Sequence, residues 1–181
     1  MPVLMKLRGT VKQSSRLARL ALTAALAIYG LVSLRSPGVY RLLDSVDLAI
    51  HETGHLVFGP FGEFIGALGG TLFQIIVPTI FVVYFVRQGD RHAASVTLWW
   101  VAQNFWNISI YVRDARAQLL PLVGGGEHDW AYLLWQLGLL EHDQGIGRWV
   151  HAIGVLIFVF SVWWGITTAG TSRMKLGRLS T

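Results

Sequence analysis

The sequence predicts an all-α integral membrane protein with about five to six transmembrane helices, and three observations support this class. Hydrophobic residues make up 53% of the 181 residues and charged residues only 14%, and the mean hydropathy of +0.50 lies above that of soluble domains. Long apolar runs alternate with breaks that contain Pro, Gly or Arg. Basic residues cluster outside the first and last apolar runs: Lys6, Arg8, Lys12, Arg16, Arg19, Arg173, Lys175 and Arg178.

The chain is predicted to form a single polytopic membrane domain over residues 1–181. A basic N-terminal segment covers residues 1–16, the membrane core covers 17–169, and a basic tail covers 170–181. Basic flanks usually stay on the cytoplasmic side, so we expect a cytoplasmic N-terminus, with lipid and not nucleic acid as the partner of these charges. The absence of cysteine excludes disulfides and thiolate metal ligands, and together with the basic ends it favours a bacterial inner membrane.

Five apolar stretches are predicted as membrane spans, at residues 17–34, 40–58, 71–86, 93–112 and 149–169. The shorter stretch 130–140 is predicted to be a half-membrane or interfacial helix with Asp129 as its N-cap. It can serve as a sixth crossing, because two basic ends on one side of the membrane require an even number of crossings. The glycines and the proline between residues 59 and 70 predict a re-entrant loop or a short hairpin.

The second of these stretches contains the motif His51-Glu52-Thr53-Gly54-His55. Residues four apart project from one face of a helix, so the two imidazoles can share one metal ion. Histidine pairs of this kind bind Zn²⁺ together with a third protein ligand, and a water molecule takes the fourth position. Glu52 is predicted to be the catalytic base that takes a proton from this zinc-bound water as it attacks a carbonyl carbon.

Chance is a poor explanation of this motif, since a random order of the same residues gives roughly 0.004 matches. The other explanation is a polar cluster that only pairs helices inside the membrane. Ionisable groups within apolar spans usually carry function, and this favours the metal site. Asp47 lies one helical turn before His51, so we expect its carboxylate to orient that imidazole.

The fourth stretch and the residues that follow it carry one polar stripe. Its members are spaced three or four residues apart: Asn104, Asn107, Tyr111, Asp114 and Gln118. The stripe predicts the wall of a wet cavity, although hydrogen bonding between membrane helices would also explain it.

The third metal ligand is predicted to come from the same region, with Asp114 preferred, His128 next and Asp129 after it. Asp114 lies on the polar stripe, but a surface ion pair with Arg113 or Arg116 explains it equally well. His128 and Asp129 follow three glycines, which would let the chain fold back toward the histidines. Asp129 is otherwise expected to be a helix cap or part of the cavity wall.

The segment His51-Glu52-Thr53-Gly54-His55-Leu56-Val57, followed by a glycine-rich stretch, resembles the site-2 type of intramembrane zinc metalloprotease, and residues 47–78 carry most of the likeness. The resemblance implies a short strand-like structure near the active site, where Gly69-Gly70-Thr71-Leu72-Phe73-Gln74 stands here. It also implies an Asp as third ligand, after an Asn- and Pro-containing stretch on a later span. Here Leu119-Leu120-Pro121 precedes Glu127-His128-Asp129, without the family's Leu-Asp-Gly.

The leading functional hypothesis is a membrane-embedded zinc metalloprotease that hydrolyses peptide bonds in or near the bilayer. The alternative is a non-catalytic membrane subunit whose structural or vestigial metal site docks partner membrane proteins. A channel or transporter would explain the polar stripe, but it would leave the histidine spacing as an accident. Four protein ligands would favour the structural site, and an open fourth position beside Glu52 would favour catalysis.

Overall fold

The computed structural model describes the backbone of residues 2–121 and 127–171 and the side chains of 15–121 and 127–171. Over these residues the chain is helical, with no strand, which confirms the predicted all-α class. The helices are α1 Pro2–Arg35, α2 Leu42–Phe58, α3 Glu63–Gln88, α4 Arg91–Arg113, α5 Asp129–Gln136 and α6 Asp143–Thr168, with 3-10 turns at Gly59–Phe61 and Leu140–His142. Most of the predicted basic tail and the three consecutive glycines lie outside the described residues.

Within the described part of the chain, three helical segments are long and apolar enough to cross a membrane: Ser15–Arg35, Glu63–Gln88 and Leu140–Thr168. They correspond to three of the predicted spans: 17–34, 71–86 and 149–169. The other two predicted spans form α2 and α4, which do not belong to this class. Helix α2 has only 17 residues and contains three acidic side chains, and amide side chains lower the hydropathy of α4. The predicted count of five to six spans is therefore not confirmed.

Helix α4 lies at the centre of the molecule. It packs against α6 and α3 and also contacts α1 and α5. Its interior face is apolar where it meets α6, with Trp99, Ala102 and Trp106 buried against Phe158. Gly154 of α6 permits this approach, because a side chain there would collide with the indole of Trp106. The apolar face of α4 thus meets α6, and its polar face is left to meet α2.

The glycine-rich stretch 59–70 differs from its prediction. Only Gly59–Phe61 forms a turn, and Gly62 completes it at a φ of 101°, which favours glycine. Helix α3 then begins at Glu63 and continues without interruption through the remaining glycines. The predicted re-entrant loop or hairpin, and the strand-like structure at Gly69 to Gln74, are therefore replaced by helix.

Helices α2 and α3 pack so closely that several positions between them accept only glycine, which explains the many glycines in α3. A side chain on Gly54 would collide with the carbonyl of Gly69, and a Cβ on Gly69 would lie 2.5 Å from the Cβ of Phe58. Gly66 and Gly70 are four residues apart and therefore lie on the same face of α3. Small residues on facing helices let the two backbones approach closely. This approach brings α3 directly against the histidine helix.

Candidate metal centre

His51 and His55 lie one turn apart on α2, and both imidazoles point to the same carboxylate. The Nε2 atom of His51 lies 3.0 Å from Oδ2 of Asp129, and that of His55 lies 3.3 Å from the same oxygen. One possible ligand atom from each of the three residues falls within 4.8 Å of the others. This group could hold a metal ion.

The first residue of α5 supplies the third side chain of the group. Helix α5 is capped by His128, whose Nδ1 accepts a hydrogen bond from the backbone N–H of Ala131 at 3.2 Å. Asp129 is therefore not the N-cap that was predicted, and its carboxylate is free to turn toward α2. The indole of Trp130 anchors the same helix to α3 by donating to Oγ1 of Thr71 at 3.1 Å.

Tyr111 of α4 holds Asp129 in place from the other side. Its hydroxyl accepts a hydrogen bond from the Asp129 backbone N–H at 3.2 Å and donates to the carboxylate Oδ2 at 3.4 Å. Burial alone would raise the pKa of Asp129, but the hydrogen bonds and charges of His51 and His55 outweigh it and lower the pKa to about 2. The carboxylate is thus ionised at neutral pH and available as a ligand.

The Nδ1 atoms of the two histidines are held on the opposite side of each ring. Nδ1 of His55 lies 2.8 Å from the carbonyl oxygen of Gly66, which can only accept, so this nitrogen carries a proton. Nδ1 of His51 lies 2.8 Å from Oε1 of Gln74 on α3. A metal ion held by the two Nε2 atoms and Asp129 would require both Nε2 atoms to be unprotonated. Three acceptor atoms that face one another are stable only with a cation or shared protons between them.

The structure places the two preferred third ligands, Asp114 and His128, away from the histidine pair. Both oxygens of Asp114 cap the chain after α4, accepting from the backbone N–H groups of Leu119 at 3.0 Å and Leu120 at 2.9 Å. The second of these oxygens lies 3.4 Å from Nε2 of His128. Burial lowers the pKa of His128, which keeps its ring neutral. These residues fix the connection between α4 and α5, and Asp129 occupies the position expected of them.

The expected partner of His51, Asp47, also points elsewhere. It is fully buried, and its Oδ1 accepts a hydrogen bond from the indole of Trp100 on α4 at 2.8 Å. Gln74, which the sequence did not identify as a site residue, contacts His51 instead. The sequence did contain a sign of this role, because a glutamine in the middle of an apolar run is energetically costly unless it has a hydrogen-bond partner.

The polar stripe of α4 faces α2 and α3, as a cavity wall would require. Asn104 accepts from Gln74, and Asn107 donates to Asp44 of α2 at 3.2 Å. Tyr111 continues the stripe to Asp129. Asp114 and Gln118 lie beyond the end of α4 and do not belong to this face.

A cavity of about 1110 Å³ opens beside the three converging side chains. Glu52 is exposed and lines this cavity, as do Asn107 and Tyr111 of the stripe and residues of α1 and of the α1–α2 connection. Its volume is above the roughly 300–1,000 Å³ of small-molecule sites, so it has room for a segment of polypeptide. Comparisons of the chain with protein-family models, curated proteins and solved structures gave no match.

Proposed function

We propose that this protein is a membrane-embedded zinc metalloprotease that hydrolyses peptide bonds in or near the bilayer. The observation that carries the proposal is the convergence of His51, His55 and Asp129 beside a cavity lined by Glu52. Ligands at zinc distances around a tetrahedral centre lie about 3.3 Å from one another. The 3.0 and 3.3 Å separations between the imidazole nitrogens and Asp129 Oδ2 are close to that value.

Two histidine nitrogens and one carboxylate oxygen are one of the ligand sets found in catalytic zinc sites, which leave a fourth position for water or substrate. When bound, zinc would act as a Lewis acid toward a carbonyl oxygen and would lower the pKa of water. Glu52 would accept a proton from the attacking water and deliver it to the leaving amine. Tyr111 would hold the Asp129 carboxylate in place while the charges at the site change.

The membrane setting is part of the same proposal. The apolar α1, α3 and α6 would face lipid, whereas α2 and α5 carry the three ligands. Helices α2 and α4 turn their polar sides toward each other. Water would reach Glu52 through the cavity. We further propose a bacterial inner membrane as the location, with the basic N-terminus on the cytoplasmic side and about five to six crossings in all.

Metal analysis and a cleavage assay on the protein purified in detergent without chelators test this proposal. We expect about one zinc per chain, and cleavage products from a mixture of membrane-segment peptides detected by mass spectrometry. Glu52→Gln should keep the zinc and lose the cleavage. Glu141→Gln serves as the control, because this carboxylate is exposed, pairs with Arg116 and does not line the cavity. Protein that carries no metal and takes none up would contradict the proposal.

The alternative, a non-catalytic membrane subunit, predicts a different result in the same assay. It would bind zinc in the wild type and in Glu52→Gln alike, without cleaving any peptide. Within the described residues, His51, His55 and Asp129 form a group of three and not of four, and this favours the enzyme.

A further inference from the structure

A directional chain of hydrogen bonds runs from the backbone of α4 through α3 to the metal centre. Nδ2 of Asn104 lies 3.0 Å from the carbonyl oxygen of Trp100. Oδ1 of Asn104 lies 3.2 Å from Nε2 of Gln74, and Oε1 of Gln74 lies 2.8 Å from Nδ1 of His51. Asn104 is fully buried and Gln74 is 4% exposed, so water does not substitute for these partners.

The carbonyl of Trp100 sets the direction of every hydrogen bond in this series. The carbonyl of Trp100 can only accept, so the amide nitrogen of Asn104 must face it, and the amide oxygen of Asn104 must face Gln74. Gln74 therefore turns its own nitrogen to Asn104 and its oxygen to His51. An amide oxygen is only an acceptor, so Nδ1 of His51 must carry the proton that is donated to it.

We propose that Gln74 is a positioning residue that holds His51 in the tautomer with Nδ1 protonated, so that Nε2 is presented to the metal, and that Asn104 holds Gln74 in this orientation. The proposal rests on the metal centre proposed above, but not on protease activity. Reversing the Gln74 amide would place its oxygen against the oxygen of Asn104 and would present a donor to Nδ1 of His51, which favours the other tautomer. The acceptor–acceptor mismatch at Asn104 would be buried, so the reversed orientation is disfavoured.

His51 depends on a side chain in a way that His55 does not. The Nδ1 partner of His55 is the backbone carbonyl of Gly66, which every substitution at that position retains. The Nδ1 partner of His51 is the side chain of Gln74, which a substitution can remove. Hydrogen-bond partners of ligating histidines are typically worth about 10–100-fold in metal affinity, and here that contribution comes from Gln74.

The test measures zinc affinity of the detergent-purified protein by competition with a chromophoric chelator. Gln74→Leu, which keeps the size but removes the acceptor, should weaken zinc binding about 10–100-fold. Gln74→Glu retains an acceptor toward His51 but loses the donor toward Asn104, so it should recover part of that loss. Gln103→Leu is the matched control, since this amide of α4 donates to Asp44 and not to the metal centre; its zinc affinity should equal that of the wild type.

A spectroscopic measurement on the wild type tests the tautomer without any change at Gln74. In the zinc-loaded protein labelled with ¹⁵N-histidine, the ring nitrogens of His51 should show a protonated Nδ1, with the signal assigned by its loss in His51→Gln. A metal-bound or unprotonated Nδ1 would overturn the proposal. So would equal weakening by Gln74→Leu and Gln74→Glu, or unchanged affinity in Gln74→Leu. A wild type that binds no zinc would instead remove the proposed metalloprotease itself.

Discussion

Gly70 packs directly against the imidazole of His51. A methyl group on this glycine would come within 2.5 Å of the ring's Nε2, the atom that faces Asp129. Helix α3 therefore forms one wall of the candidate metal centre, and only a residue without a side chain fits there. The glycine-rich stretch thus contributes to the site because its glycines leave space for the His51 ring, and not because it forms a loop.

Gly70→Ala should reduce zinc affinity by about tenfold or more, because displacements beyond about 0.5 Å disturb a metal site. The added methyl group must either push the His51 ring aside or separate α3 from α2. Gly59→Ala is the control from the same stretch, since a Cβ there meets nothing within 4 Å. Zinc competition titrations of both variants make the comparison. Equal affinities in the two variants would contradict the contact.

Asp129→Asn should abolish stoichiometric zinc binding, because it removes the only carboxylate of the three-residue group. Asp114→Ala should retain about one zinc per chain and instead destabilise the fold by about 1–3 kcal/mol, since two backbone N–H groups lose their acceptor. Metal content and thermal unfolding of each variant separate the two roles. Loss of zinc in Asp114→Ala with zinc retained in Asp129→Asn would reverse the assignment.

Asp47→Ala should lower stability by about 1–3 kcal/mol through the loss of the hydrogen bond from the Trp100 indole. Zinc affinity should change little, because Asp47 does not contact His51 in the structure. Asp47→Asn retains an acceptor for the indole and should be closer to the wild type in thermal unfolding. A large fall in zinc affinity with unchanged stability would restore the role in orienting His51 that was first expected for this residue.

Tyr111→Phe should weaken zinc binding about tenfold or more. The phenyl ring keeps its packing against His128, but Asp129 loses both of its bonds to the hydroxyl. The matched control is Tyr84→Phe, an exposed tyrosine near the end of α3. Zinc titration of the two variants measures the contribution of the hydroxyl alone, and identical affinities would show that Tyr111 acts only through its ring.

Chelation should destabilise the zinc-loaded wild type. A ligand that binds only the folded state stabilises it by about 2.7 kcal/mol at a free concentration 100 times its Kd. Addition of EDTA should therefore lower the thermal midpoint of the wild type and leave that of Asp129→Asn unchanged. An equal shift in both proteins would place the stabilising metal somewhere other than at the proposed centre.

The sequence by itself determined the features that depend on local periodicity. The four-residue spacing of His51 and His55 places both imidazoles on one face of any helix that contains them. The long apolar runs and their breaks determined the all-helical class, and the three or four residue spacing of Asn104, Asn107 and Tyr111 determined a polar face on α4. Each of these features follows from residues within a few turns of one another.

Only the tertiary structure decided which side chains complete the site. Asp129 lies 78 residues from His51, and Gln74 lies 23 residues from it. Helix periodicity carries no information over such separations. Asp129 was expected to cap α5, but His128 takes that position and leaves the carboxylate free to face the histidines. The glycines between residues 59 and 70 were predicted to form a re-entrant loop or hairpin because of their flexibility, but most of them lie in α3, where their small size permits a close helix crossing. The contact of α3 with α2 decides between these alternatives, and that contact exists only in the folded protein.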